Sequence, residues 1–146
     1  MQLPYIATFG ALLALAGCGD ADSPEQQVRE VIGQMEAAAE ARDVSALLAH
    51  LSKDYRDPNG SGPQEASRYA RGYFIANQSI HLLTRIESLE FPRDGEAHAK
   101  VLVGMVGQDA DAAATWDLAA DLYQFKIALR REGGEWQVTF AEWQRR

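Results

Sequence analysis

The sequence is poor in cysteine and histidine, and this scarcity excludes several classes of protein. It has one cysteine and three histidines among its 146 residues. A single cysteine excludes an internal disulfide framework and a metal site built from several thiolates. The histidines, His50, His81 and His98, are not spaced as His-x-x-x-His or Glu-x-x-His pairs. We therefore expect no metal site.

The sequence also lacks phosphate loops, dinucleotide-binding glycine motifs and the Gly-x-Ser-x-Gly elbow of many hydrolases. Its 14 basic and 21 acidic residues give a formal net charge of −7. Binding of nucleic acid requires a basic surface, so we expect no nucleic-acid partner, and nothing in the sequence indicates a cofactor. Hydrophobic residues make up 47% of the chain, which excludes wholesale disorder and suffices for the core of one domain.

Charged residues are absent from residues 1–17 (MQLPYIATFGALLALAG). This stretch is shorter than the about 20 apolar residues of a membrane-spanning helix, and its length is typical of the apolar region of a signal peptide. It ends in Leu15-Ala16-Gly17-Cys18, which resembles the lipobox of bacterial lipoproteins. The resemblance implies that residues 1–17 are removed and that Cys18 becomes the lipidated first residue.

The lipobox resemblance also implies a location for the protein. Residues 18–24 would form a lipidated tether, and acyl chains such as palmitate on Cys18 would hold the protein in the cell envelope. Gly19, which follows the cysteine, favours the outer membrane on its periplasmic side. The residues alone leave an alternative open, in which residues 5–17 form a buried helix and Cys18 is a small core residue.

Hydrophobic spacing predicts three helices in the first half of the remaining chain. Ser23 and Pro24 are typical of a helix start, and the apolar spacing predicts a helix over 24–41. Asp43 is expected to cap a short second helix, with Leu51 on its apolar face. Residues 57–63 are dense in turn-forming residues and predict a loop. A third helix follows, with one stripe formed by Ala66, Tyr69, Ala70, Tyr73, Phe74 and Asn77.

The hydrophobic period changes from 3.6 to 2 near residue 78, which predicts a change from helices to strands. Strands are predicted in segments 79–91, 97–105, 123–129 and 136–140. Turns are expected at 92–95 and 133–134, and a loop at 107–115. Trp136, Val138 and Phe140 are expected on one face, with Trp136 in the core, and His98 is expected to face solvent. The order predicts an α+β fold with an antiparallel sheet covered on one face.

The order of two helices, a short extended segment, a third helix and four long strands resembles the nuclear transport factor 2-like superfamily. That superfamily includes ketosteroid-isomerase-like and polyketide-cyclase-like proteins. The short segments that carry this resemblance are Ala41-Arg42-Asp43, Asp54-Tyr55-Arg56-Asp57-Pro58 and Glu135-Trp136-Gln137-Val138. For residues 25–146 the resemblance implies a cone-shaped, cystatin-like fold, with three N-terminal helices packed in a curved antiparallel sheet around an apolar pocket. It also implies a homodimer through the sheet face.

Asp57 is the candidate catalytic residue. Asp57-Pro58-Asn59-Gly60 resembles the segment that carries the general base of ketosteroid isomerases, which also use two oxyanion donors, a tyrosine on the first helix and a protonated aspartic acid on a strand. The place of that tyrosine falls near Met35, and the first helix contains no tyrosine or histidine. Asp121 is near the position of the aspartic acid on the strand. Because a base without oxyanion donors forgoes a large catalytic term, we favour a turn-forming role for Asp57.

Aromatic residues with polar tips suit a pocket for a small apolar ligand, although such residues often simply fill a core or cover a sheet face. The candidate pocket residues are Tyr55, Asp57, Tyr69, Tyr73, Trp116 and Tyr123, with Phe74 and Trp143 as further aromatic candidates. We expect a membrane-anchored, non-catalytic domain that binds a small apolar ligand or a protein partner. The alternatives are an enzyme that uses Asp57 as a base, and a structural envelope protein with no cavity between the third helix and the sheet.

Overall fold

A computed structural model describes residues 23–106 and 119–146 of the chain, with side chains described from residue 121 onward in the second range. Cys18, Trp116 and the loop predicted over 107–115 lie outside the described residues. The first elements are α1 (Pro24–Glu40), α2 (Val44–Leu48), β1 (Leu51–Arg56) and α3 (Pro63–Ala76). Four long strands follow, β2 (His81–Arg93), β3 (Glu96–Val106), β4 (Ala119–Glu132) and β5 (Glu135–Arg145). No helix within these described ranges is long and apolar enough to cross a membrane.

Two helix starts are capped by the residues that the sequence indicates. Ser23 Oγ accepts the N–H of Gln26 at 3.2 Å, and Asp43 Oδ1 accepts the N–H of Ala46 at 2.9 Å. Each bond satisfies one of the backbone donors that a helix start leaves unpaired. The placement of Leu51 on the second helix is wrong, because α2 ends at Leu48 and Leu51 begins β1.

The five strands form one sheet in the order β1-β5-β4-β3-β2. The three pairs among β2, β3, β4 and β5 are antiparallel, but β1 runs parallel to β5. The α+β class is confirmed, whereas the expectation of a purely antiparallel sheet is wrong at this edge. A hairpin turn can join only antiparallel neighbours, and β1 is instead separated from β5 by α3 and three strands.

A β-bulge in β5 changes which side chains share a face. Ala128 pairs with Phe140 and the next residue, Leu129, pairs with Val138, so Thr139 is the extra residue. Val138 is buried in the core, while Phe140 lies on the opposite face of the sheet beside His98. The prediction that Phe140 continues the face of Trp136 and Val138 is therefore wrong.

The main core lies between α1, β1 and the inner face of the sheet. Its buried members are Val28, Ile32, Tyr55, Ala97, Ala99, Val101, Leu129, Trp136 and Val138. Trp136 is 4% exposed, as expected of a core residue, and His98 is exposed on the outer face, also as expected. A smaller cluster is formed by Ala70 and Phe74 of α3 together with Ile80. We call the part of the fold around Trp136 and the start of α1 the closed end.

Candidate functional site

Aromatic side chains from two strands meet on the inner face of the sheet, far from the closed end. Tyr123 on β4 lies opposite Arg145 on β5, and Phe125 lies opposite Trp143. Alternate residues of a strand share a face, so Tyr123 and Phe125 point to the same side. Phe125 packs against the main core. The inner face therefore continues from the core into this aromatic group.

The third helix adds two tyrosines to this group. The Tyr69 ring lies 5.8 Å from the Trp143 ring, and the Trp143 ring stacks on Phe125 at 5.9 Å. Tyr69 is 62% exposed and Trp143 is 37% exposed, so these rings present apolar surface to solvent. We call Tyr69, Tyr73, Tyr123, Phe125 and Trp143 the aromatic rim. Stacked and tilted aromatic faces of this kind suit contact with a flat apolar ligand.

The hydroxyl of Tyr73 has a weak hydrogen-bond partner. It donates to the Met105 thioether sulfur at 2.8 Å, and a thioether is a poor acceptor. Burial raises the pKa of Tyr73, and the neighbouring Tyr123, Tyr69 and Asp121 raise that pKa further. The hydroxyl therefore stays protonated at neutral pH, and a carbonyl oxygen would be a better acceptor for it than the sulfur.

One ion pair stands beside the rim. Asp121 on β4 accepts from the guanidinium of Arg145 on β5, and both side chains are partly exposed. Oxyanion stabilisation of the ketosteroid-isomerase type needs a neutral carboxylic acid that donates a hydrogen bond. Asp121 acts here as an acceptor, which is the opposite role.

Asp57 lies in the loop between β1 and α3, where its carboxylate organises a turn. Its Oδ1 accepts the backbone N–H groups of Asn59 and Ser61, each at 2.8 Å, and its own N–H donates to the Ser61 carbonyl at 3.1 Å. These bonds are typical of an Asp that starts a turn.

Tyr55 is a core residue and not a member of the rim. It is buried in the main core, and burial raises the pKa of its hydroxyl, with the Asp57 carboxylate raising that pKa further. Met35, the position where the resemblance would place an oxyanion tyrosine, packs against the same core with a side chain that has no hydroxyl.

Two surface depressions of the described part of the chain lie away from the aromatic rim. One of about 320 Å³ is on the outer face of the sheet and is lined by Ser88, Glu90, His98, Ala99, Lys100, Lys126, Ile127, Ala128 and Phe140. The other, of about 580 Å³, is at the closed end and is lined by Ser23, Pro24, Glu25, Phe91, Arg93, Asp94, Gly95 and Trp136. Within the described part of the chain, no three His, Cys, Asp or Glu side chains converge as metal ligands would.

The structure thus brings together three of the candidate pocket residues, Tyr69, Tyr73 and Tyr123, with the further aromatic candidate Trp143. Sequence reasoning missed Met105, Phe125 and Arg145 as neighbours of this site. The alternation of Tyr123 and Phe125 along β4 was a usable signal for Phe125. Met105 and Arg145 gave no such signal, because only the strand register brings them beside Asp121 and Tyr123.

Comparison with solved structures identifies the fold. A domain of unknown function with a cystatin-like fold from Nostoc punctiforme matches with a TM-score of 0.67 and 15% identity, over 84% of this chain and 76% of its own. A Novosphingobium aromaticivorans protein, provisionally described as a scytalone dehydratase, matches with a TM-score of 0.67 and 13% identity, over 84% and 83%. A nuclear transport factor 2-like protein of unknown function from Shewanella oneidensis matches with a TM-score of 0.62 and 12% identity, over 83% and 98%.

The search of family models and the search of curated proteins found no match to this sequence. These three solved structures share 15% identity or less with the chain, so they identify its architecture and not its activity. They include a protein described as an enzyme and proteins of unknown function. The α+β architecture, the mixed five-stranded sheet and these matches agree, and the chain therefore has the nuclear transport factor 2-like, cystatin-like fold.

Proposed function

We propose that this chain is an exported, lipid-anchored envelope protein whose aromatic rim binds a small ligand without transforming it. The single observation that carries the binding role is the Tyr73 hydroxyl, a protonated donor whose acceptor among the described residues is a thioether, in a group that includes the exposed rings of Tyr69 and Trp143. A ligand with a flat apolar body and one carbonyl oxygen matches both features. Its body would lie on Tyr69 and Trp143, and its oxygen would accept from Tyr73.

The non-catalytic role is supported by the groups that a proton-transfer enzyme would need. A general base must reach the proton that it removes, and oxyanion donors must face the oxygen that gains charge. The Asp57 carboxylate accepts two turn amides, and Asp121 accepts from Arg145. The helix α1 contains no tyrosine or histidine.

A binding experiment tests the ligand proposal. The probes are 2-acetylnaphthalene and 2-ethylnaphthalene, which have similar bodies but differ in the carbonyl oxygen. Isothermal titration should show tighter binding of the ketone, by about two- to tenfold for one net hydrogen bond. Trp143→Ala should weaken both probes, whereas Phe91→Ala, which removes an exposed ring elsewhere, should leave both unchanged. Binding of neither probe would contradict the proposal and favour the structural alternative without a ligand.

The enzyme alternative, with Asp57 as general base, is tested by one substitution. Asp57→Asn removes the base but keeps the side-chain oxygen that accepts the turn amides, so the fold should remain intact. If the protein isomerises a β,γ-unsaturated ketone and Asp57→Asn abolishes that turnover, the enzyme alternative is correct. We expect no turnover in either protein and unchanged affinity for 2-acetylnaphthalene.

The lipid anchor is tested by the mass of the processed chain. We expect cleavage before Cys18, a mass increased by acyl chains, and partition into detergent. Cys18→Ser should give an unlipidated protein that stays in the aqueous phase. An intact mass that retains Met1, or an unmodified Cys18 at the new terminus, would contradict the anchor.

The homodimer through the outer sheet face stays a prediction. This face carries groups of both charges, with Lys126 paired to Glu142 at 3.4 Å and Glu90 opposite His98. A self-complementary contact could pair such groups between copies. Light scattering should then show a dimer that Ala128→Arg converts to a monomer, and a monomeric wild type would contradict the prediction.

A further inference from the structure

The start of α1 is fixed at the closed end of the fold. Gln27 Oε1 accepts from Trp136 Nε1 at 3.0 Å and also from the Arg131 guanidinium. The backbone N–H of Arg131, near the end of β4, donates to the Gly95 carbonyl at 2.8 Å. This bond holds the β4–β5 turn beside the β2–β3 turn. Ser23 lines the depression at this same end. The chain therefore enters the fold beside the two hairpin turns.

The aromatic rim lies at the opposite end of the same strands. Along β5, Trp143 follows Trp136 by seven residues, and Arg145 follows Glu135 by ten. A strand rises by about 3.3 Å per residue, so these steps correspond to about 23 Å and about 33 Å. The rim is thus separated from the entry point of the chain by most of the length of the sheet.

The proposed tether is shorter than this separation. Five chain steps join Cys18 to Ser23. A fully extended chain spans at most about 3.6 Å per residue, so the tether reaches about 18 Å. If the sheet stood upright with the rim pressed against the bilayer, Ser23 would lie about 23 to 33 Å above it. A tether of this length cannot reach that far.

We infer that the rim faces away from the anchoring membrane and takes its ligand from the aqueous phase, not from the bilayer that holds the lipid. This inference rests on the proposed lipidation of Cys18. It restricts the ligand class to molecules that travel through water, such as a small amphipathic ketone, and excludes lipids that stay embedded in the anchoring membrane.

Two single-thiol variants test the orientation. The lipid blocks the only cysteine of the chain, so Asp94→Cys and Ile75→Cys each introduce one free thiol for a fluorophore. Asp94 is exposed in the β2–β3 turn at the closed end. Ile75 is 79% exposed near the end of α3, two residues beyond the rim residue Tyr73. Substitution of exposed side chains should change folding little.

The lipidated variants are placed in phosphatidylcholine vesicles that carry a lipid-attached energy-transfer acceptor. We expect transfer from position 94 to be several-fold more efficient than from position 75. A 15-residue Gly/Ser insertion after Asp22 lengthens the tether beyond the length of the fold, so it should reduce this difference.

Co-flotation with vesicles and intact mass are measured first. They distinguish failure of the lipid anchor from failure of the proposed orientation. Absence of co-flotation would overturn the anchor and, with it, the orientation. Equal or greater transfer from position 75 in a protein that floats would overturn the orientation alone. A difference that the Gly/Ser insertion does not reduce would overturn the argument from tether length.

Discussion

The two tryptophans of β5 show how one strand builds a closed end and an open rim. Trp136 is 4% exposed, its Nε1 donates to Gln27, and Arg131 lies 5.4 Å from its ring centre. Trp143 is 37% exposed and has ring contacts with Tyr69 and Phe125. The polar and apolar surfaces of Trp136 are thus covered, whereas part of the Trp143 surface remains available. Trp136 therefore stabilises the fold, whereas Trp143 has surface free to contact a ligand.

The largest expected effect comes from truncating the covered tryptophan. Trp136→Ala should lower the free energy of unfolding by about 3–5 kcal/mol, because it leaves a cavity in the core. Trp143→Ala should cost about 1 kcal/mol, because its ring is already partly solvated. Urea denaturation of both variants measures the difference. Equal losses would show that the two ends are not distinct.

The second expected effect concerns the bulge at Thr139. Deletion of Thr139 removes the extra residue and leaves Trp136 and Trp143 six residues apart, so both rings stay on the inner face. This variant should bind 2-acetylnaphthalene almost as the wild type does. An alanine inserted after Glu142 instead moves Trp143 by one position and so to the outer face. Affinity should then fall by at least about tenfold, or about 1.4 kcal/mol, by isothermal titration. Wild-type affinity in the insertion variant would show that Trp143 does not contribute from the inner face.

A smaller effect is expected from the Tyr73 hydroxyl. Tyr73→Phe should leave the urea midpoint nearly unchanged, since the lost bond is to a thioether. It should weaken the ketone probe by about 0.5–1.5 kcal/mol and leave 2-ethylnaphthalene unaffected. An equal loss for both probes would indicate that the ring, and not the hydroxyl, carries the contact.

The smallest expected effect is on stability at alkaline pH. The pKa values of Tyr55 and Tyr73 are raised in the folded protein above the ordinary value of 10.0. Above pH 10 the unfolded chain loses these protons first, so the free energy of unfolding falls as pH rises through the folded pKa values. Urea midpoints should thus be lower above pH 10 than at pH 9. Tyr55→Phe should reduce this fall, and Tyr69→Phe, at an exposed position, serves as the control.

Local patterns in the sequence predicted much of the fold. The 3.6-residue spacing and the caps Ser23 and Asp43 marked α1 and α2 because capping and amphipathicity act within a few residues. The same locality explains why the turn-forming role favoured for Asp57 could be read from Asp-Pro-Asn-Gly. The parallel pairing of β1 with β5 could not be predicted in this way, since it joins residues about 85 positions apart.

The sequence by itself determined the uncharged stretch of residues 1–17 with Cys18 directly after it, the change of hydrophobic period near residue 78 and the burial of Trp136. Each follows from residue type or short-range spacing. Only the tertiary structure decided that Trp143 shares a face with Trp136, because strict alternation would put residues seven apart on opposite faces. The extra residue at Thr139 reverses that outcome. A bulge is set by the pairing of two strands, so the aromatic rim exists only once the sheet has formed.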